Sequence, residues 1–196
     1  MKRRNALKNT AVLAGSAVLF PSLATLLQSC QNQPRISWQP TFLSVDHTEL
    51  LATLVDTILP KTDTPGGLDV KVDMFMDLVF SKLYNDEGQK SIVADLNAFD
   101  EKCQSKYSKN FVNLTTDQRH ELLMAEEKSN AKFNGGVWGT AVGKQAPVGF
   151  YRRMKSLALW GYFTSEEIGS EVLNYDPVPG EYRGCVPLEE VGNQWS

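Results

Sequence analysis

From residue 46 to residue 173 the apolar residues of this chain recur at steps of three and four. No stretch alternates at a step of two for long enough to make a strand. Side chains that repeat every 3.6 residues line one face of a helix, and with no strand to pack on, that face is buried against other helices. Ile92, Leu96, Phe99, Cys103 and Tyr107 follow one another at steps of four, three, four and four. Leu50, Leu51, Leu54, Val55 and Ile58 make one stripe on a first helix, capped by Ser44 or Asp46 and stopped by Pro60. Phe75, Met76, Val79, Phe80, Leu83 and Tyr84 form the buried face of a second, over about 70–84, broken by Asn85-Asp86. The third covers about 87–107. Thr115-x-x-Gln118 reads as a capping box for a fourth, which includes Leu122, Leu123 and Ala125 and frays toward Asn134. Pro147 is expected to open a fifth, with Phe150, Met154, Leu157 and Gly161 on one face and its end at Gly161. Thr164 or Ser165 would cap a short sixth over about 165–173, with Glu166 and Glu167 in its first turn. The expected fold is all-α: a single helical bundle of five or six helices with long loops and no internal repeat.

Two stretches interrupt that pattern. Gly135-Gly136-Val137-Trp138-Gly139 reads as a flexible hinge or partner-contact loop. After Tyr175, Asp176-Pro177-Val178-Pro179-Gly180 cannot be helical, because each proline lacks a backbone donor and pushes its predecessor toward extended geometry. The chain then ends in an irregular tail rich in aromatic, Gly and Pro residues. That tail has no core of its own, so it must lie on the bundle or on a partner.

The first 29 residues are a targeting segment rather than a fold element. Lys2, Arg3, Arg4 and Lys8 precede an uncharged, largely apolar run from Ala11 to Leu27. That run is about 17 residues, short for a spanning helix, which needs about 20. Arg3-Arg4-Asn5-Ala6-Leu7-Lys8 resembles a twin-arginine signal, which exports folded cargo. An ordinary secretory signal with a basic start is the alternative. Leu27-Gln28-Ser29-Cys30 resembles a lipoprotein cleavage box. It would leave Cys30 as a lipidated N-terminus, anchored on the periplasmic side; the alternative is ordinary cleavage nearby with Cys30 a plain thiol. Residues 30–45 then read as a polar linker with an isolated Trp38, and 46–196 as the helical domain.

The segment 1–29 holds four of the 20 Lys+Arg and no acidic residue. The remainder therefore sets 16 Lys+Arg against 23 Asp+Glu, a net charge of −7. That balance argues against nucleic acid and against electrostatic docking on anionic lipid. It is compatible with a partner that carries a basic patch. Of three cysteines, Cys103 and Cys185 remain once Cys30 is taken by lipid. In an oxidising compartment they could form a disulfide that ties the tail to a helix. Otherwise both stay unpaired, with Cys103 buried as a small hydrophobe.

Few residues suggest chemistry. His47 and His120 are the two histidines, and each reads as a solvated helix residue. The sequence has no C-x-x-C-H for covalent haem, no Cys/His spacing for zinc or an iron–sulfur cluster, no Gly-rich strand-to-helix turn and no G-x-S-x-G elbow. Glu126-Glu127 and Glu166-Glu167 read as solvated faces and cap charges, so no catalytic, cofactor-binding or metal-binding residue is assigned. Aromatics are more informative. Trp138, Tyr151, Trp160, Tyr162, Phe163, Tyr175, Tyr182 and Trp195 lie in the last third, beside Arg152-Arg153 and Arg183. Aromatics and Arg are enriched at protein interfaces. The candidate partner interface is Trp160, Tyr162, Phe163, Tyr175, Pro177, Pro179 and Tyr182. Packing of the tail on its own bundle would explain the same residues.

Four stretches in order carry a family resemblance: Ile58-Leu59-Pro60 with Asp63-Thr64-Pro65-Gly66; Phe111-Val112-Asn113-Leu114-Thr115 with Gln118-Arg119; Gly161-Tyr162-Phe163-Thr164-Ser165-Glu166; and Tyr175-Asp176-Pro177-Val178-Pro179-Gly180. Over about 46–187 the chain resembles the small (gamma) subunit of the gluconate 2-dehydrogenase type, the subunit 3 family. The resemblance implies an accessory subunit, not catalytic by itself, of a flavin-dependent dehydrogenase of gluconate or a related sugar or glycoside. FAD would sit in a large subunit of the GMC type, which would pass electrons to a cytochrome c or another acceptor. This chain would stabilise that subunit, and its signal would carry the folded partner across the membrane. The alternative is a stand-alone surface lipoprotein that stacks a carbohydrate on its aromatics.

Overall fold

The computed structural model describes residues 38–129, 136–137, 140–141, 147–176, 178, 180 and 184–193. The expected signal with Arg3 and Arg4, the lipidation site Cys30, and the interface residues Pro177, Pro179 and Tyr182 lie outside the described residues. Helix α1 spans Val45–Ile58, α2 Val72–Lys82, α3 Asp86–Tyr107, α4 Thr116–Ser129, α5 Phe150–Phe163 and α6 Leu188–Val191, with a 3₁₀ turn at Phe111–Asn113. The all-helical expectation holds. The described strands are a two-residue antiparallel pair, Gly136–Val137 with Thr140–Ala141; the first lies in the stretch 135–139 expected to be a flexible loop and the second follows it.

Helix α1 is the axis. It packs against α2, α3, α4, α5 and the 3₁₀ turn. The sequence predicts one apolar stripe, but Thr48 and every residue from Leu50 to Val55 are buried. Threonine tolerates that position because its hydroxyl can donate to the carbonyl one turn back. Thr48 Oγ1 donates to Ser44 O and Thr53 Oγ1 to Glu49 O, each at 2.8 Å. Around this axis Met76, Phe80, Ile92, Leu96, Phe111, Leu122 and Met154 are almost fully buried. Phe99 lies against both Phe111 and Phe150, with ring centroids 5.1 and 5.4 Å apart.

The linker expected over residues 30–45 becomes part of the fold at Trp38. Its indole Nε1 donates to Asp73 Oδ2 at 3.1 Å. From Thr41 onward the chain wraps a second carboxylate of α2. Thr41 N donates to Asp77 Oδ2 at 2.7 Å, and Leu43 N to Oδ1 at 2.8 Å. Phe42 N donates to Oδ1 at 3.2 Å. Asp77 is 1% exposed. A buried carboxylate is tolerated where several N–H donors replace water, and here three consecutive backbone amides do so. The first helix then starts from Ser44, whose Oγ accepts from His47 N.

Helix boundaries depart from expectation where caps decide them. Thr115 and Gln118 form both halves of the capping box. Pro147 does not open α5; Gly149 does, in extended geometry. Gly161 does not end α5, which continues to Phe163. Thr164 and Ser165 do not cap the next helix. Their hydroxyls turn back to Trp160 O and Tyr162 O, both at 2.7 Å, and so close α5. Beyond them the chain makes a wide π turn over Ile168–Val172. Leu83, expected on the buried face of α2, is 69% exposed. It forms the C-cap of that helix, one residue beyond its last turn.

No disulfide joins Cys103 to Cys185; both are free. Cys103 lies fully inside the core and donates to Phe99 O, whereas Cys185 is exposed. Burial pushes the Cys103 thiol up to about 12, with Asp100 and Glu126 nearby adding to it. The tail is fastened differently. Asn174 Nδ2 donates to Asn193 O at 2.6 Å, and Asn193 Nδ2 to Val172 O at 2.7 Å.

This packing sets three measurable outcomes. Asp77→Ala leaves three backbone amides, that of Leu43 buried among them, without their acceptor and should lower unfolding stability by about 3 kcal/mol, read from the denaturant midpoint. A Cβ on Gly161 would lie 2.5 Å from Phe75 Cδ1, so Gly161→Ala should cost about 1–3 kcal/mol, and Phe75→Leu in the same chain should recover part of it. Iodoacetamide at pH 8 should alkylate Cys185 in the native protein and Cys103 only after unfolding; mass mapping of the alkylated peptides reads this directly.

Candidate partner-docking face

Helix α5 separates its residues by side. Tyr151, Met154, Ala158, Gly161 and Tyr162 are buried against the bundle. Trp160 and Phe163 lie three apart on the outer side, 51% and 44% exposed. Both rings are braced from beneath. Trp160 meets Phe75 of α2 edge-on, with centroids 5.1 Å apart and planes at 71°. Phe163 meets Tyr162 edge-on at 5.5 Å and 80°. The close approach of α5 to α2 depends on Gly161, where any Cβ would enter the Phe75 ring. Tyr162, expected in the interface, belongs to the frame instead. It is 8% exposed, and its hydroxyl donates to Pro65 O at 2.7 Å. A phenol with a fixed partner at its polar end behaves as a core residue.

Leu78 is a second exposed apolar residue, on α2. It is 49% exposed and sits one turn beyond Phe75 on α2. The sequence carries a signal for it: Leu78 is an apolar residue off the buried stripe of its helix. Tyr175 is 60% exposed, and Val178 and Leu188 are 80% and 85% exposed. An aromatic anchor with a supported ring loses little freedom on binding, which favours it as an interface hot spot.

Next to these rings in sequence lies an acidic cleft of about 520 Å³. It is lined by Ser165, Glu166, Glu167, Ser170 and Glu171 on one side and by Asp69, Val70 and Lys71 on the other. The Gly66 N–H and the Lys61 ammonium hold the Asp69 carboxyl below its usual range. Glu166 and Glu167 are exposed, as expected. Glu126 and Glu127 are not the solvated pair expected. Glu126 is 6% exposed and paired with Lys102, while Glu127 bridges Arg152 at 2.7 Å and Lys155 at 3.4 Å. They serve to join α4 to α3 and to α5. His47 Nε2 lies 2.8 Å from Asn97 Oδ1 and links α1 to α3, so it is less solvated than expected; His120 is exposed. Among the described residues no three His, Cys, Asp or Glu side chains group as they would around a metal ion, and no helix is long and apolar enough to cross a membrane.

Two of the stretches that carry the family resemblance, the first and the third, meet in this frame. Pro65 of the first stretch accepts from Tyr162 of the third. Arg119 of the second folds its guanidinium back onto Val112 O at 2.7 Å and Phe111 O at 3.3 Å. No curated protein and no solved structure matches the chain. One family model does, over residues 46–180, a span that contains Trp160, Phe163, Tyr175 and Leu78. The chain belongs to the gluconate 2-dehydrogenase subunit 3 family.

Proposed function

We propose that this chain is the non-catalytic small subunit of a flavin-dependent dehydrogenase acting on gluconate or a related sugar or glycoside. It docks a large GMC-type subunit on the exposed rings of Trp160 and Phe163. The observation that carries the reading is that pair of exposed rings, each held rigid by a second aromatic, inside the span matched by a dehydrogenase-subunit family. The large subunit holds FAD and selects the substrate; this chain stabilises it. Electrons leave the large subunit for a cytochrome c or another acceptor. Arg3 and Arg4 direct folded export, and Cys30 carries the lipid that keeps the complex on the periplasmic side of the membrane. With a net charge of −7 beyond residue 29, a basic patch on the large subunit complements the cleft of Glu166, Glu167 and Glu171.

The test is affinity capture of tagged chain from membranes of cells that also express a large flavoprotein encoded next to it. A yellow eluate with a partner several times larger is the expected result. Trp160→Ala should weaken the complex by roughly 10–100-fold while the denaturant midpoint of the free chain moves little. A colourless monomer that binds sugar by itself would replace this reading with that of a carbohydrate-binding lipoprotein.

A further inference from the structure

The chain from Leu59 to Lys71, which joins α1 to α2, is held in shape by its own bonds. Gly67 N donates to Leu59 O at 2.8 Å, so the loop closes on its starting point. Thr62 N donates to Thr64 O at 3.1 Å inside it, and Val72 N donates to Gly67 O at 2.9 Å where it enters α2. Gly66 N donates to Asp69 Oδ2 at 2.9 Å, and that carboxylate also pairs with Lys61 at 3.3 Å. At Gly66 a Cβ would lie 2.7 Å from Lys61 N, so the two limbs of the loop meet backbone to backbone. Fixing a backbone costs about 1–2 kcal/mol per residue. Here the ordering is not spent on burying the tip: Pro60, Lys61, Thr62 and Asp63 are all exposed. Compact loops with joined ends are frequent contact sites, because a rigid scaffold positions what they expose.

Helix α5 holds the same loop from outside. The Tyr162 hydroxyl donates to Pro65 O at 2.7 Å, and the Tyr162 ring meets Phe163 edge-on. One side chain therefore ties the loop to an exposed ring of the docking face. The loop's last residues, Asp69 to Lys71, also share the acidic cleft with Ser165 and Glu166. The free charge at the tip is that of Asp63. Lys61 is engaged by Asp69, whereas among the described residues nothing pairs with the Asp63 carboxylate.

We infer that the tip of this loop is a second contact between this chain and its large subunit. Asp63 receives a Lys or Arg side chain of that subunit, and Tyr162 is the positioning residue that sets the tip beside Phe163. The inference rests on the docking proposed above. A loop ordered before contact loses little freedom on binding. A charge pair at the rim of an interface acts mainly on the rate of association and on its dependence on salt.

The test measures association of the tagged chain, purified from membranes, with the large flavoprotein encoded next to it, at low salt and with one partner immobilised. Asp63→Lys should slow association about tenfold and weaken its salt dependence. The residue is exposed and unpaired, so the circular dichroism of the variant should match that of the unchanged chain. Tyr162→Phe keeps the ring on Phe163 and removes the bond to Pro65. In that background Asp63→Lys should lose most of its effect, a coupling that a purely structural tyrosine would not produce. Unchanged association of Asp63→Lys, in a complex that Trp160→Ala still weakens, would overturn the loop contact and leave the docking rings in place. Retention of the full Asp63→Lys effect in the Tyr162→Phe chain would overturn the role of Tyr162. Failure of the unchanged chain to bind the flavoprotein would overturn the docking and the loop contact together.

Discussion

From Leu50 to Val55 helix α1 is buried all round, and a helix so enclosed must account for its polar atoms. Its backbone groups bond within the helix, and Thr48, Thr53 and Thr57 each return a hydroxyl to the carbonyl one turn back. Four other helices and the 3₁₀ turn close against that buried stretch. The constraint then passes outward. If α1 is covered by helices, the segment that leads into it must also be satisfied before it enters. Asp77 meets that need by accepting from Thr41, Phe42 and Leu43. The carboxylate is stable in the interior because the amides are there, and the amides are ordered because the carboxylate is.

The same logic separates what could be read from the sequence from what could not. Periodicity located five main helices, because a 3.6-residue repeat is a property of one segment and needs no knowledge of its neighbours. The capping box at Thr115 and Gln118 was legible for the same reason. Burial of Thr48 and Thr53, of Asp77 and of Glu126 was not legible, since each depends on a partner or on how completely a helix is enclosed. Hydroxyls at Thr164 and Ser165 were ambiguous in principle. A Ser or Thr after a helix can accept from the amides of the next one or donate to the carbonyls of the last, and the choice depends on the path of the chain. The cysteine pair failed on the same ground: Cys103 is a core residue of α3, and side-chain amides at Asn174 and Asn193 fasten the tail.

The family signature, read physically, is mostly a record of how the frame is built. Gly161 exists to let Phe75 approach. Tyr162 reaches the carbonyl of Pro65, and Arg119 ties its helix to the turn before it. Trp160, Phe163 and Tyr175 are exposed, as an interface would require, and Tyr162 is not, although Tyr162 and Phe163 are adjacent. On a helix, neighbours point about 100° apart, and here one residue faces the bundle while the next faces out.

That alternation has a functional side. An exposed aromatic on a flexible loop would lose rotamer and backbone freedom on binding and give back part of its burial energy. Trp160 and Phe163 lose little, because Phe75 and Tyr162 already restrict them, and those two are fixed by Gly161 and Pro65 in turn. The residues that define the frame are thus the reason that the exposed residues can serve as anchors. A subunit of a dehydrogenase complex is served by such a surface: rigid before contact, with exposed rings, and bordered by charge of one sign. The cleft of Glu166, Glu167 and Glu171 provides that border on the side that α5 reaches last.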